Sequence, residues 1–126
     1  MMNIFFVGVG GAFGSIARYL MVAFIGRFFP GVAFPCGTLT VNVVGCFAIA
    51  FIGALAADKI NLTADARLFL FTGILGGFTT FSAFGYETFY LLKASHFFLV
   101  FLNILANLFL GLGAVVLGYW LGRNFI

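Results

Sequence analysis

Apolar positions in this chain come in four long continuous runs, not in the ten-residue alternation of a membrane barrel strand. The first extends from about Ile4 to Phe29, interrupted only by Arg18, and closes at Gly26-Arg27-Phe28-Phe29-Pro30 and Pro35. The second runs from about Gly37 to Ala57 and stops at Asp58-Lys59-Ile60-Asn61, a charged stretch that continues to Asp65 and Arg67. The third runs from Leu68 to Leu92, and the fourth from about Phe97 to Leu121 after Lys93-Ala94-Ser95-His96. Each is about the 20 residues that a helix needs to cross a bilayer. The pattern predicts an all-α membrane protein of four transmembrane helices, over about 4–27, 36–57, 67–92 and 96–122.

The third run differs in texture. Gly73, Gly76, Gly77, Thr79, Thr80, Ser82, Gly85 and Glu87 interrupt it, which is a poor recipe for a continuous helix. A break is therefore expected at mid-membrane, where freed backbone carbonyls must find protein, water or an ion as partners. Helical spacing organises the small and polar residues elsewhere. Gly11, Gly14 and Arg18 share a face of the first helix, and Thr38, Asn42 and Gly45 a face of the second. Asn103, Asn107, Gly111, Ala114, Gly118 and Gly122 run down the fourth. The plain reading of every such stripe is close helix packing in lipid, a role compatible with lining a path.

Composition sharpens the picture. Of 126 residues, 64% are hydrophobic and 7% charged, with 20 Phe and 17 Gly, and the mean hydropathy is +1.25. Soluble domains average about 45–50% apolar and about 25% charged, so a water-soluble globule is excluded. Four spans of roughly 20 residues leave about 46 for loops and ends, too few for a second domain. The net charge of +3 comes from scattered residues, with no basic run for nucleic acid to bind. Cys36 and Cys46 lie ten residues apart on one expected helix, about 15 Å along its axis and out of disulfide reach. The N-terminal run lacks a basic leader and is too long for a cleavable signal, so it reads as a span that stays.

No catalytic constellation is present, and the chain does not read as an enzyme. His96 has no companion at metal-ligand spacing, and Gly8-Val9-Gly10-Gly11 lacks the strand and the Lys-Ser or Lys-Thr of a phosphate loop. Glu87 is the only acid within a span and Arg18 the only base well inside one. Charges in the bilayer cost about 2.5–3.5 kcal/mol on insertion scales, so by default they face protein or water and mark a pathway. Against this stand plainer roles: Arg18 snorkelling to headgroups or capping a helix, and Glu87 at the interface near Lys93. Phe81 and Phe84, at i and i+3 beside the hydroxyls of Thr80 and Ser82, project together, although a phenylalanine pair in such a chain is ordinarily packing.

Three motifs resemble one family. They are Gly10-Gly11-Ala12-Phe13-Gly14-Ser15-Ile16-Ala17-Arg18-Tyr19, Gly37-Thr38-Leu39-Thr40-Val41-Asn42-Val43-Val44-Gly45, and Gly76-Gly77-Phe78-Thr79-Thr80-Phe81-Ser82-Ala83-Phe84 with Glu87. In that order, on four spans, they resemble the CrcB or Fluc fluoride channels. The resemblance implies a multi-pass inner-membrane protein, an antiparallel homodimer with two passive fluoride pores that lower fluoride toxicity by export. It implies that Gly76 and Thr79 offer backbone carbonyls to a structural, untransported Na⁺ at the dimer centre. Phe81 and Phe84 take the positions of the pore phenylalanines and Asn42 that of the pore asparagine. Thr38, Thr80, Ser82 and Glu87 fall along a polar path, Arg18 at its entrance, and Asn103 at a variable fourth-span position. Ala83 and Gly85 stand where hydroxyl residues are usual.

Elementary physics bears on the same residues. Phenyl rings have a positive edge that can meet an anion without a trapping countercharge, and amide and hydroxyl donors can replace its water. Lys59, Arg67 and Arg123 share one side of the membrane against Arg27 and Lys93 on the other, with Arg18 leaning to the latter. So weak a bias fits insertion in both orientations. The alternative is a proton-coupled exporter of the small multidrug-resistance type, which needs a deeply buried carboxylate, whereas Glu87 comes late in its span. A third reading is a structural subunit that only packs against other membrane proteins.

Overall fold

A computed structural model describes residues 1–124, and every regular element among them is helical. The elements are α1 (Met2–Phe28), α2 (Cys36–Asp58), a third segment in pieces, and α6 (Phe97–Asn124). The third segment comprises α3 (Ala64–Arg67), a π-helical stretch (Leu68–Leu75), α4 (Gly76–Phe78) and α5 (Phe81–Lys93). Among the described residues four stretches are long and apolar enough to cross a membrane: Met2–Phe28, Cys36–Asp58, Ala64–Lys93 and Phe97–Asn124. The even number brings both ends of the described chain to one side.

Packing follows the small residues. A Cβ on Gly73 would lie 2.8 Å from Gly10 Cα, and one on Gly77 would lie 2.7 Å from the Gly11 carbonyl oxygen. Only glycine lets α1 and the third segment meet backbone to backbone, as helices do where lipid supplies no hydrophobic drive. The glycine pair Gly76-Gly77 is itself helical. It does not unwind the segment; Gly77 serves the approach of α1. On the other flank α6 lies along α2. Gly118 sits against the Phe47 carbonyl, and a Cβ on Gly122 would fall 2.7 Å from the Phe51 carbonyl oxygen. Large apolar side chains instead point outward, Phe81, Phe98 and Phe109 among them, as a lipid-facing surface permits.

The break in the third segment comes from two threonines. Thr79 gives both its backbone N–H and its hydroxyl to the Leu75 carbonyl, at 3.1 Å and 3.0 Å, and then turns extended at ψ 156°. Thr80 stays extended, with φ −150° and ψ 114°, and its Oγ1 accepts the Ala83 N–H at 3.2 Å to cap α5. Hydroxyl residues compete with the helical ladder in this way and favour caps. α5 ends at a Schellman turn: the His96 N–H donates to the Leu91 carbonyl and Ser95 N–H to Leu92, with Ser95 at φ 60°.

Candidate functional site

The break exposes backbone polar groups that need partners, and α2 and α1 supply them. Asn42 Oδ1 accepts the Thr80 N–H at 2.9 Å, while Asn42 Nδ2 donates to the Thr80 carbonyl at 3.1 Å. One side-chain amide thus pairs with both backbone groups of one extended residue, as a neighbouring strand would. Thr80 N–H is spent on Asn42 rather than on the Gly76 carbonyl four residues back. On the far side of the break, Arg18 Nη1 donates to the Thr79 carbonyl at 3.4 Å.

From Asn42 runs a directed series of hydrogen bonds. Asn42 Nδ2 also donates to Asn107 Oδ1 at 3.1 Å. Asn107 Nδ2 donates to the Asn103 carbonyl and to Asn103 Oδ1, at 2.9 Å and 3.0 Å. Asn103 Nδ2 donates to Thr88 Oγ1 at 2.9 Å, and Thr88 Oγ1 to the Phe84 carbonyl at 2.7 Å. The series begins and ends on α5 and its cap, with three amides between. Asn103, only 1% exposed, is its most deeply buried member.

Asn42 also lines a groove of about 560 Å³. Asn42, Gly76, Thr79, Thr80, Phe81, Phe84 and Asn107 line it, together with apolar residues of α2, α6 and the third segment. The Phe81 and Phe84 ring centroids are 5.5 Å apart and the planes tilted by 51°. Phe84 is half-buried, whereas Phe81 stands 83% exposed. The groove therefore brings amide, hydroxyl and backbone polar groups together with two aromatic rings.

Other residues singled out in the sequence lie near but do not line this groove. Ser82 pairs with Thr80, hydroxyl to hydroxyl, at 3.3 Å. Thr38, buried one helical turn from Asn42 on α2, donates to Glu87 Oε1 at 2.7 Å. Glu87 Oε2 is buried and has no hydrogen-bond partner among the described residues. Arg18 is tied to the break itself. Asn107 and Thr88 complete the series although neither was singled out as a site residue. Asn103 and Asn107 at i and i+4 were the available signal; Thr88 gave none beyond its spacing from Phe84.

Among the described residues no three His, Cys, Asp or Glu side chains cluster as metal ligands. At the break the Gly76 carbonyl loses its helical partner, because the Thr80 N–H goes to Asn42, and the Thr79 carbonyl accepts from Arg18.

Comparison with known proteins adds a lineage. Residues 5–119 match the family described as CrcB-like protein, Camphor Resistance (CrcB). A protein of Campylobacter fetus subsp. fetus named fluoride-specific ion channel FluC is 45% identical over 119 residues, 94% of this chain and 92% of that one. One of the same name from Agrobacterium fabrum is 45% identical over 124 residues, 98% of each. Another, from Parabacteroides distasonis, is 42% identical over 126 residues, all of this chain and 97% of that one.

Proposed function

This chain belongs to the CrcB family, and we propose that it is a fluoride-specific ion channel of the inner membrane, conducting fluoride passively out of the cell and so lowering its toxicity. It is a channel and not an enzyme. The observation that carries the reading is the groove in which Asn42, Thr80, Phe81 and Phe84 meet at a helix break. The shared name of its relatives favours fluoride over the drug substrates of a proton-coupled exporter.

The chemistry is suited to a small, strongly hydrated anion. The anion has to lose water, and the donors that replace it must let it go again. Asn42 Nδ2 and the Thr80 and Ser82 hydroxyls are neutral donors, and the ring edges of Phe81 and Phe84 add weak positive potential. None of them carries a full charge that would hold the ion. Thr38 and Glu87 extend the polar path along α2 and α5, and Arg18, beside Thr79, adds positive potential at the break. Buried Asn103 acts through Asn107. Direction comes from the gradients: fluoride enters as neutral acid from acidic surroundings, and a negative interior favours exit by about 2.3 kcal/mol per charge per 100 mV.

A single chain leaves Phe81 and Ser82 on an open surface, which membrane lipid would flood. A second copy closing over the groove would shield the path, and the weak charge bias between the two sides supports its being inverted. A structural Na⁺ fits the same assembly. Carbonyl oxygens at an unwound helix are the neutral, hard donors that Na⁺ takes; the break takes the Gly76 carbonyl off its helical partner, and the Thr79 carbonyl keeps a second lone pair beside its contact with Arg18. Two from each of two chains would hold the ion, whose charge would fasten the two breaks together.

Purified protein reconstituted alone into fluoride-loaded liposomes tests the function. Rapid fluoride efflux with chloride retained supports it; fluoride retention equal to that of empty vesicles would overturn it.

A further inference from the structure

We propose that Asn107 is a positioning residue that keeps fluoride binding at Asn42 weak, its Oδ1 competing with the ion for an amide hydrogen. The inference rests on the channel reading above and concerns a residue which that reading leaves without a role of its own.

Asn42 has two amide hydrogens, and both are committed. One goes to the Thr80 carbonyl and the other to Asn107 Oδ1, each at 3.1 Å. The two commitments are unequal. The Thr80 contact is half of a two-point grip, since Asn42 Oδ1 also accepts the Thr80 N–H, and breaking it would strand backbone groups at the break. The Asn107 contact is single and lies at the groove, which both residues line. An anion seeking a donor on Asn42 therefore displaces Asn107 Oδ1 and leaves the grip intact.

The orientation of Asn107 is not free. Thr80 N–H can only donate, so Asn42 Oδ1 faces it and Asn42 Nδ2 faces Asn107. The Asn103 backbone carbonyl can only accept, so Asn107 turns Nδ2 to it and Oδ1 back to Asn42. Asn103, held by Thr88, fixes the far end. Asn107 is thus a fixed acceptor that rests on Asn42 when the ion is absent. Such a stand-in spares Asn42 an unmet donor in the empty state and lowers the gain when the ion arrives.

Removing the acceptor should tighten binding by roughly five- to tenfold, the equilibrium worth of one net hydrogen bond. The test is fluoride titration of the full-length protein in lipid nanodiscs, followed by ¹⁹F NMR, with parallel flux measurements in liposomes. Asn107→Leu and Asn107→Ala should both lower the half-saturating fluoride concentration and the maximal flux together, a split that simple loosening of the fold would not give. In an Asn42→Ala background the same changes should shift nothing further.

A half-saturating concentration that stays put or rises, or an undiminished shift in the Asn42→Ala background, overturns the proposal. So does failure of both variants to fold, which would make Asn107 a packing residue. If the unaltered protein neither binds nor conducts fluoride, the channel reading fails instead, and the two failures are distinct.

Discussion

Asn42 holds Thr80 at two points, accepting its N–H at 2.9 Å and donating to its carbonyl at 3.1 Å. The asparagine therefore has a structural duty at the break besides any contact with an ion. Asn42→Ala should cost about 2–4 kcal/mol in thermal or denaturant unfolding, because a buried backbone N–H and carbonyl both lose their partner. Thr40→Val is the matched control. The Thr40 hydroxyl only bonds back to the Cys36 carbonyl of its own helix, so its loss should stay within about 0.5 kcal/mol.

The aromatic pair separates packing from anion contact. Phe81→Ile and Phe84→Ile roughly keep apolar volume while deleting the ring edge. Fluoride flux in liposomes should fall by orders of magnitude in each, with expression and oligomeric state retained. Phe109→Ile, at an outward-facing residue of α6 away from the groove, should leave flux nearly unchanged. Equal behaviour of all three would reduce the pair to ordinary packing.

How much of this was legible beforehand depended on the kind of force involved. The four helices were, because continuous apolar runs satisfy a bilayer and little else. An interruption of the third was also legible, but its cause was blurred. The glycine pair looked as suspect as the threonines, and only the packing of α1 shows that Gly77 is small for Gly11's sake while Thr79 and Thr80 do the unwinding. The π-helical stretch Leu68–Leu75 left no mark in the spacing of residues. Neither did the contact from Asn42 to Asn107, 65 positions apart, because sequence does not say which helix face meets which. Residues on one stripe were readable; bonds between stripes were not.

Glu87 decides between passive flow and proton coupling. Its Oε1 accepts from Thr38, and its Oε2 has no partner among the described residues. If the carboxylate were a proton carrier, Glu87→Gln would abolish transport driven by a pH gradient. The passive account expects Glu87→Gln to keep fluoride flux within about tenfold of the unaltered protein, since an amide still accepts from Thr38. Fluoride flux should likewise be unmoved when a pH gradient is imposed and collapsed.

Na⁺ at the break is tested by its withdrawal. Exchange into a Na⁺-free buffer with a large organic cation should abolish fluoride flux or loosen the assembly seen in crosslinking, with recovery on adding Na⁺ back. Thr79→Ser should leave this Na⁺ dependence in place, because the backbone oxygen is kept. Full flux after thorough exchange would remove Na⁺ from the account.

The central claim is that the protein is a passive, fluoride-selective pore, and the reversal potential of its current in a planar bilayer tests this most directly. Under a tenfold fluoride gradient, with chloride and pH equal on both sides, the account expects reversal near the fluoride equilibrium value of about 59 mV. Imposing a chloride or a pH gradient should leave it there. A reversal potential that follows chloride or protons, or the absence of any current from protein that is folded and inserted, would contradict it.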